Sequence, residues 1–356
     1  MTLTKQQALD LFRSDDLIGI GMEANAVRRK LHPEGVATYI IDRNINYTNY
    51  CTEYCTFCAF YRPLKGPKAK EGYILDFETI YEKIRETVEM GGTGVLMQGG
   101  LHPDLKIDWH EQMLRGIKQR FPRIHLHCYS ASEIIAIAEY SELSIRDTIA
   151  RLRDAGLDSI PGGGAEIFAD RIRHIICDHK IDGDQWLETA KLAHQIGLKS
   201  NATMLYGHVE NDEDRVDHLL KLRDLQDETG GFQTYIPLAF HPENTPLQHL
   251  RKTTGMSDIK QIAVGRLVLD NFPHIKAYWQ MMTAKMAQIS LRFGADDIDG
   301  TVIEEKIYHD AGATTPQGMR REELVRLIRE AGREPVERDT LYRPVTRTET
   351  SVTVAV

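Results

Sequence analysis

From residue 36 onward, short apolar segments of strand character alternate with longer segments of helical periodicity, and this order restricts the fold more than any other feature. The strand segments are 37–41, 94–98, 124–129, 158–160, 200–205, 233–238, 275–279 and 295–298. The helical segments between them are 77–90, 108–120, 145–155, 165–176, 184–196, 212–228, 258–271 and 283–293. Ser144 with Asp147 reads as a capping box, Ser257-Asp258 opens another helix, and Gly91, Gly156 and Gly197 suit helix exits. Repeated β-then-α order implies a parallel sheet with right-handed crossovers. About eight such units predict an α/β fold of the (β/α)8 barrel type. A doubly wound open sheet is the alternative, but no GxGxxG follows the first strand.

Three parts follow from this pattern. Residues 1–35 form an N-terminal helical segment, with helices at 5–13 and 16–31 ended by His32-Pro33-Glu34-Gly35. Residues 36–316 form the barrel. Residues 317–356 supply a helix at 320–331 and a tail packed on the barrel, the stretch 346–356 being mobile or partly an edge strand.

The formal net charge of -8 offers no basic stripe for a phosphate backbone, so no nucleic-acid partner is expected. No apolar run reaches the length of a membrane span, and the charged N-terminus lacks a signal-peptide pattern. A cytoplasmic protein without a membrane partner is expected. Five cysteines, an odd number, argue against a disulfide framework in a reducing compartment.

Three of the five, Cys51, Cys55 and Cys58, fall within eight residues as C-x3-C-x2-C, in the loop after the first strand. Such thiolates can converge on one inorganic centre. A four-iron cluster takes one thiolate per iron, so three leave one iron open unless Cys128 or Cys177 fills it. A structural zinc site and a chance cluster of buried cysteines are the competing readings. The position favours chemistry, because parallel βα folds place their sites at the carboxyl ends of the strands. Cys128 and Cys177 are expected to be buried spectators. His125 and His127 alternate with apolar neighbours on the third strand and can face a polar layer.

The C-x3-C-x2-C loop resembles the signature of radical S-adenosylmethionine enzymes. Further segments resemble the branch of that family that works on futalosine derivatives in menaquinone biosynthesis: NINYTN at 44–49, CAFYR at 58–62, GGLHPD at 99–104, DSIPGGGAE at 158–166, ATMLYGH at 202–208 and QDETGGF at 226–232. The segments 236–245, 275–279, 297–305 and 335–344 are most similar to the aminofutalosine (aminodeoxyfutalosine) synthases. The neighbours are the cyclases of dehypoxanthine futalosine and the deazaflavin-forming subunit of cofactor F420 synthesis. A non-catalytic metal-stabilised binding protein is the reading from another class.

This resemblance implies a [4Fe-4S] cluster on Cys51, Cys55 and Cys58, with S-adenosyl-L-methionine bound at the open iron and consumed. It implies 3-[(1-carboxyvinyl)oxy]benzoate as substrate, 6-amino-6-deoxyfutalosine as product, and an external electron donor such as flavodoxin or ferredoxin. Phe57 matches the position that packs near the adenine. Gly99 and Gly100 match the strand end whose backbone meets the methionine ammonium. Glu166 is a candidate for a ribose hydroxyl or an ammonium, and equally for a helix first-turn carboxylate. His208 closes the fifth strand as a candidate acid/base. Arg62, His241, Asn244 and Lys276 are candidates for gripping the substrate.

Overall fold

The computed structural model describes residues 3–347 and 352–354. Its strands are β1 (Val36–Ile40), β2 (Asp42–Ile45), β3 (Gly94–Met97), β4 (His125–Cys128), β5 (Ser159–Ile160), β6 (Lys199–Tyr206), β7 (Phe232–Ala239), β8 (His274–Ile275), β9 (Asp297–Gly300), β10 (Glu334–Glu337), β11 (Val345–Arg347) and β12 (Val352–Val354). β2 to β8 form one parallel sheet in sequence order, and β1 lies between β9 and β10 in a second. Isolated parallel bridges, Arg43 to Ile303 and Lys276 to Asp297, carry the edges of the first sheet to the β9 segment. The sheet therefore curls into a (β/α)8-type barrel, and each of the eight expected strand positions holds a strand.

The first strand divides where it changes partners. The Ile40 carbonyl accepts from Thr301 N, and the Thr301 hydroxyl then bonds both backbone groups of Asp42. Side chains alternate across each strand. On β4, Leu126 and Cys128 join the outer apolar layer beneath the helices, whereas His125 and His127 point inward. The helix Phe77–Glu89 shows why the outer layer forms. Asp76 caps it through Thr79 N, and Ile80, Tyr81, Ile84 and Thr87 fall on one buried face. The N-terminal helices Lys5–Arg13 and Leu17–Leu31 pack against the helix Gly255–Val268.

Four local expectations need correction. The helix expected at 165–176 is only Asp170–Ile176, because Gly164 and Glu166 take left-handed backbone (φ 88° and 45°) and the chain turns before the helix starts. The helix expected at 283–293 is only Ala284–Ser290, and Thr283 at φ 77° separates it from a short helix not expected, Trp279–Met282. Ser144 accepts from Asp147 N without the reciprocal bond of a full box. A helix that was not anticipated, Ala131–Tyr140, starts with a complete box between Ser130 and Glu133. In the tail, β11 and β12 pair antiparallel; the rest of the stretch expected to be mobile lies outside the described residues. No helix among the described residues is long and apolar enough to cross a membrane.

Candidate active site

The cysteine loop leaves β2 and is held on both flanks by backbone. Cys51 N donates to Arg62 O (3.0 Å), Arg62 N to Asn49 O (2.7 Å), and Thr56 N to Ile176 O (2.8 Å). Cys51, Cys55 and Cys58 all line one cavity of about 200 Å³ at the carboxyl end of the barrel. Burial raises the pKa of all three thiols, Cys58 to about 11. Free thiols there stay protonated, so a metal must displace their protons to bind.

Neither remaining cysteine lines the cavity. Cys177 is buried near Cys55, and Cys128 lies in the outer layer on β4. Three convergent sulfur donors with no fourth cysteine on the wall fit a four-iron cluster with one open position.

Around the thiols the wall is built from the ends of successive strands. Gly100 sits so close to the loop that a β-carbon there would lie 2.1 Å from the Tyr50 carbonyl oxygen. Gly99 N donates to Glu133 Oε1 (2.9 Å), which also accepts from the Tyr47 hydroxyl (2.6 Å), while Glu133 Oε2 accepts from Ser130 N and Oγ. The buried glutamate thus takes the Gly99 N–H and leaves backbone carbonyls for a ligand.

Glu166 reaches the same cavity by way of its left-handed turn and accepts from Lys180 Nζ (2.5 Å). Lys180 also lies 5.5 Å from the centroid of the Phe57 ring. Burial works against its charge, but Glu166 and the thiols of Cys55 and Cys177 raise its pKa overall above the ordinary lysine value. A fixed cation–carboxylate pair beside three thiols can meet both the carboxylate and the ammonium of an amino acid.

A second chamber of about 110 Å³ continues deeper into the barrel, sharing Gln98, Gly163, Thr203, Leu238, Ile307 and Tyr308 with the first. Lys276 lines it and bonds Asp299 Oδ1 (2.6 Å). Arg338, on the same wall, donates once from each of its three nitrogens, to Asp297 (2.5 and 3.0 Å) and to Asp339 O. Asp42 also faces this chamber and accepts from Val302 N (3.1 Å). Burial, and then the charge of Asp299, push its carboxyl up to about 7.

The structure brings Phe57, Gly99, Gly100, Glu166 and His241 to the thiol cavity and Lys276 to the deeper chamber. His241 Nε2 donates to Met281 O (2.9 Å), and its buried Nδ1 has no partner. Three candidates lie elsewhere. His208 has both ring nitrogens engaged, by Leu205 O and by Val209 N, in the turn after β6, and lines neither chamber. Arg62 directs its guanidinium to the carbonyls of Ala59, Phe60 and Tyr61 and to Glu71, clamping the cysteine loop, and lines neither chamber. Asn244, at φ 61°, donates to Asp310 O and ties two loops together. Sequence reasoning missed Lys180, Glu133 and Asn201. Only Glu133 carried a signal, the Ser130-x-x-Glu133 box.

A sequence profile of the Radical SAM superfamily matches residues 45–222, and one of the CofH/MqnC C-terminal region matches residues 229–351. The chain is 43% identical to a cyclic dehypoxanthine futalosine synthase of Halalkalibacterium halodurans, over 96% of this chain and 90% of that one. It is 44% identical to an aminodeoxyfutalosine synthase of Thermus thermophilus, over 96% and 92%. The crystal structure of methylornithine synthase superposes with a TM-score of 0.71 at 16% identity, covering 94% of each chain, which supports the fold.

Proposed function

Because this chain belongs to the radical S-adenosylmethionine superfamily, with a C-terminal region of the CofH/MqnC type, we propose that it is an aminodeoxyfutalosine synthase. The enzyme binds a [4Fe-4S] cluster and uses S-adenosylmethionine as co-substrate. We assign the cluster to Cys51, Cys55 and Cys58, and the methionine end of the co-substrate to Glu166, Lys180 and the Gly99–Gly100 backbone. The cluster, once reduced, supplies the electron that cleaves the carbon–sulfur bond and frees a 5′-deoxyadenosyl radical.

The observation that carries the reading is the continuity of the thiol cavity with a chamber holding Lys276. A radical formed at the first reaches a carboxylate-bearing molecule in the second without meeting bulk water. The radical adds to the vinyl carbon of 3-[(1-carboxyvinyl)oxy]benzoate and forms a carbon–carbon bond. Migration of the aryl group from the ether oxygen to the radical carbon, then cleavage of the carbon–carboxylate bond with release of carbon dioxide and of the electron, would give 6-amino-6-deoxyfutalosine, the carbon dioxide becoming bicarbonate with one water. The protein's part is to hold the alkene, exclude water and balance the carboxylates. The segments 236–245, 275–279, 297–305 and 335–344 support the synthase within the branch.

The second reading is the cyclisation of dehypoxanthine futalosine. It is favoured by the 43% identical relative of that name. In that reaction 5′-deoxyadenosine leaves as a by-product. The test is mass spectrometry after anaerobic incubation of reduced enzyme with S-adenosylmethionine and each substrate. An adenosine-linked benzoate supports the synthase. Free 5′-deoxyadenosine with a cyclised dehypoxanthine futalosine replaces it with the second reading.

A further inference from the structure

Four inward-facing side chains on three adjacent strands form one line of hydrogen bonds. Asn201 Nδ2 meets His127 Nε2 (3.0 Å), His127 Nδ1 meets Ser159 Oγ (2.6 Å), and Ser159 Oγ meets His125 Nε2 (2.6 Å). All four residues are buried. Asn201 Oδ1 is buried without a partner, and Asn201 lines the deeper chamber. An amide bonded at one end and unpartnered at the other, on a residue that lines a chamber, calls for a ligand atom, because buried polar groups are otherwise satisfied.

The line has two self-consistent directions, since imidazole and hydroxyl each donate and accept. In the first, the Asn201 NH2 donates to His127 Nε2, both histidines carry their proton on Nδ1, and the amide oxygen is left without a partner. In the second, His125 Nε2–H donates to Ser159, the Ser159 hydroxyl donates to His127 Nδ1, and His127 Nε2–H donates to the amide oxygen. The Asn201 NH2 is then the group left without a partner. All three bonds survive, so turning the amide leaves the protein's own bonding unchanged.

The chamber wall shows which direction a substrate selects. Lys276 Nζ makes one hydrogen bond among the described residues, to Asp299, and has donors left for an anion. On this wall Lys276 and Arg338 stand with Asp42, Asp299 and Glu305, and Arg338 is also paired with Asp297.

We propose that Asn201 is a specificity-determining residue that turns its NH2 toward a substrate carboxylate beside Lys276, the turn being relayed through His127 and Ser159 to His125. This deepens the reading above and rests on it, since that substrate bears two carboxylates. Burial keeps both imidazoles neutral at physiological pH, as such a line requires.

The experiment uses oxidised holoenzyme saturated with S-adenosylmethionine and the unreactive saturated analogue 3-(1-carboxyethoxy)benzoate. Calorimetry gives its affinity, and 15N spectra of labelled histidine give the tautomers. The expected result is that His127 and His125 both move from Nδ1–H to Nε2–H on binding. Asn201→Ala should weaken the analogue about tenfold, and Asn201→Asp by about 100-fold through like-charge repulsion, with affinity for S-adenosylmethionine retained as the control for folding. Unchanged tautomers in wild-type enzyme overturn the proposal whether or not the variants fold. So does wild-type affinity in Asn201→Asp. Failure of the analogue to bind wild-type enzyme overturns it as well, while failure of the synthase reading shows separately, as absence of an adenosine-linked product from wild-type enzyme.

Discussion

Gly100→Ala tests whether the end of β3 and the cysteine loop are built as one unit. A β-carbon at this position lies 2.1 Å from Tyr50 O, 2.7 Å from Tyr50 C and 2.9 Å from Cys51 Cβ. Carbon–oxygen contacts settle near about 3.3 Å, so one backbone must retreat by about 1 Å. Neither is free to do so cheaply, because Gly100 N is bonded to Thr48 O and Cys51 N to Arg62 O. Overpacking of this kind costs about 1–3 kcal/mol, a loss of a few degrees in Tm. The larger effect is on the metal, since ligand positions tolerate only about 0.2 Å and the displaced residue adjoins a ligand. Iron and sulfide counting after anaerobic reconstitution should give about four irons per chain for wild type and clearly fewer for the variant. Gly99→Ala is the comparison. Its nearest neighbours are Tyr47 ring carbons at 2.7 Å, a side chain rather than loop backbone, so cluster content should fall less. Full iron content and an unchanged melting temperature in Gly100→Ala would refute the argument that the two segments are locked together.

Three further outcomes are expected. Cys58→Ala abolishes turnover and cluster assembly, whereas Cys128→Ser keeps its iron; retained iron in the first, or loss in the second, reassigns the ligands. Lys180→Met leaves Glu166 buried without its cation, so affinity for S-adenosylmethionine falls at least about tenfold, as measured by equilibrium binding to the oxidised enzyme. Unaltered affinity removes the pair from the site. For Asp42, faced by Asp299, Lys276 and Arg338, the folded carboxyl keeps its proton up to about pH 7, whereas the unfolded chain loses it near the ordinary value of 3.8. The unfolded chain therefore binds fewer protons between those values, and this residue's contribution to stability declines as pH rises through that window and levels off above it. Asp42→Asn keeps an oxygen for Val302 N, so it should raise Tm at pH 8 and leave it unchanged below pH 4. An identical shift at both pH values would show that the carboxyl is not perturbed.

The cysteine loop could be read from sequence because its chemistry is local: three thiols within eight residues meet whatever the rest of the chain does. The barrel could be read because alternation of apolar strands and amphipathic helices is a property of each segment. Side-chain direction at strand ends could not. His208, Arg62 and Asn244 follow or flank strands as ligand-binding residues do, but each turns to a backbone carbonyl and lines neither chamber. Lys180 was hidden for the opposite reason. It lies beyond a short helix, in a stretch with no periodicity, and reaches Glu166 only because the chain turns left-handed at Gly164 and Glu166. Asn201 sits in a strand whose polar residues look unremarkable until the cavity behind them is seen.

The register that aligns Val36 with Glu334 joins segments separated by about 300 residues. During synthesis, β1 emerges early and must wait with one edge bare until β10 leaves the ribosome, while the chamber wall at Arg338, Thr340 and Tyr342 is also still missing. Nascent chains stalled before Glu334 therefore expose a sticky strand edge and a leaky radical vessel, so cluster loading is best timed after release.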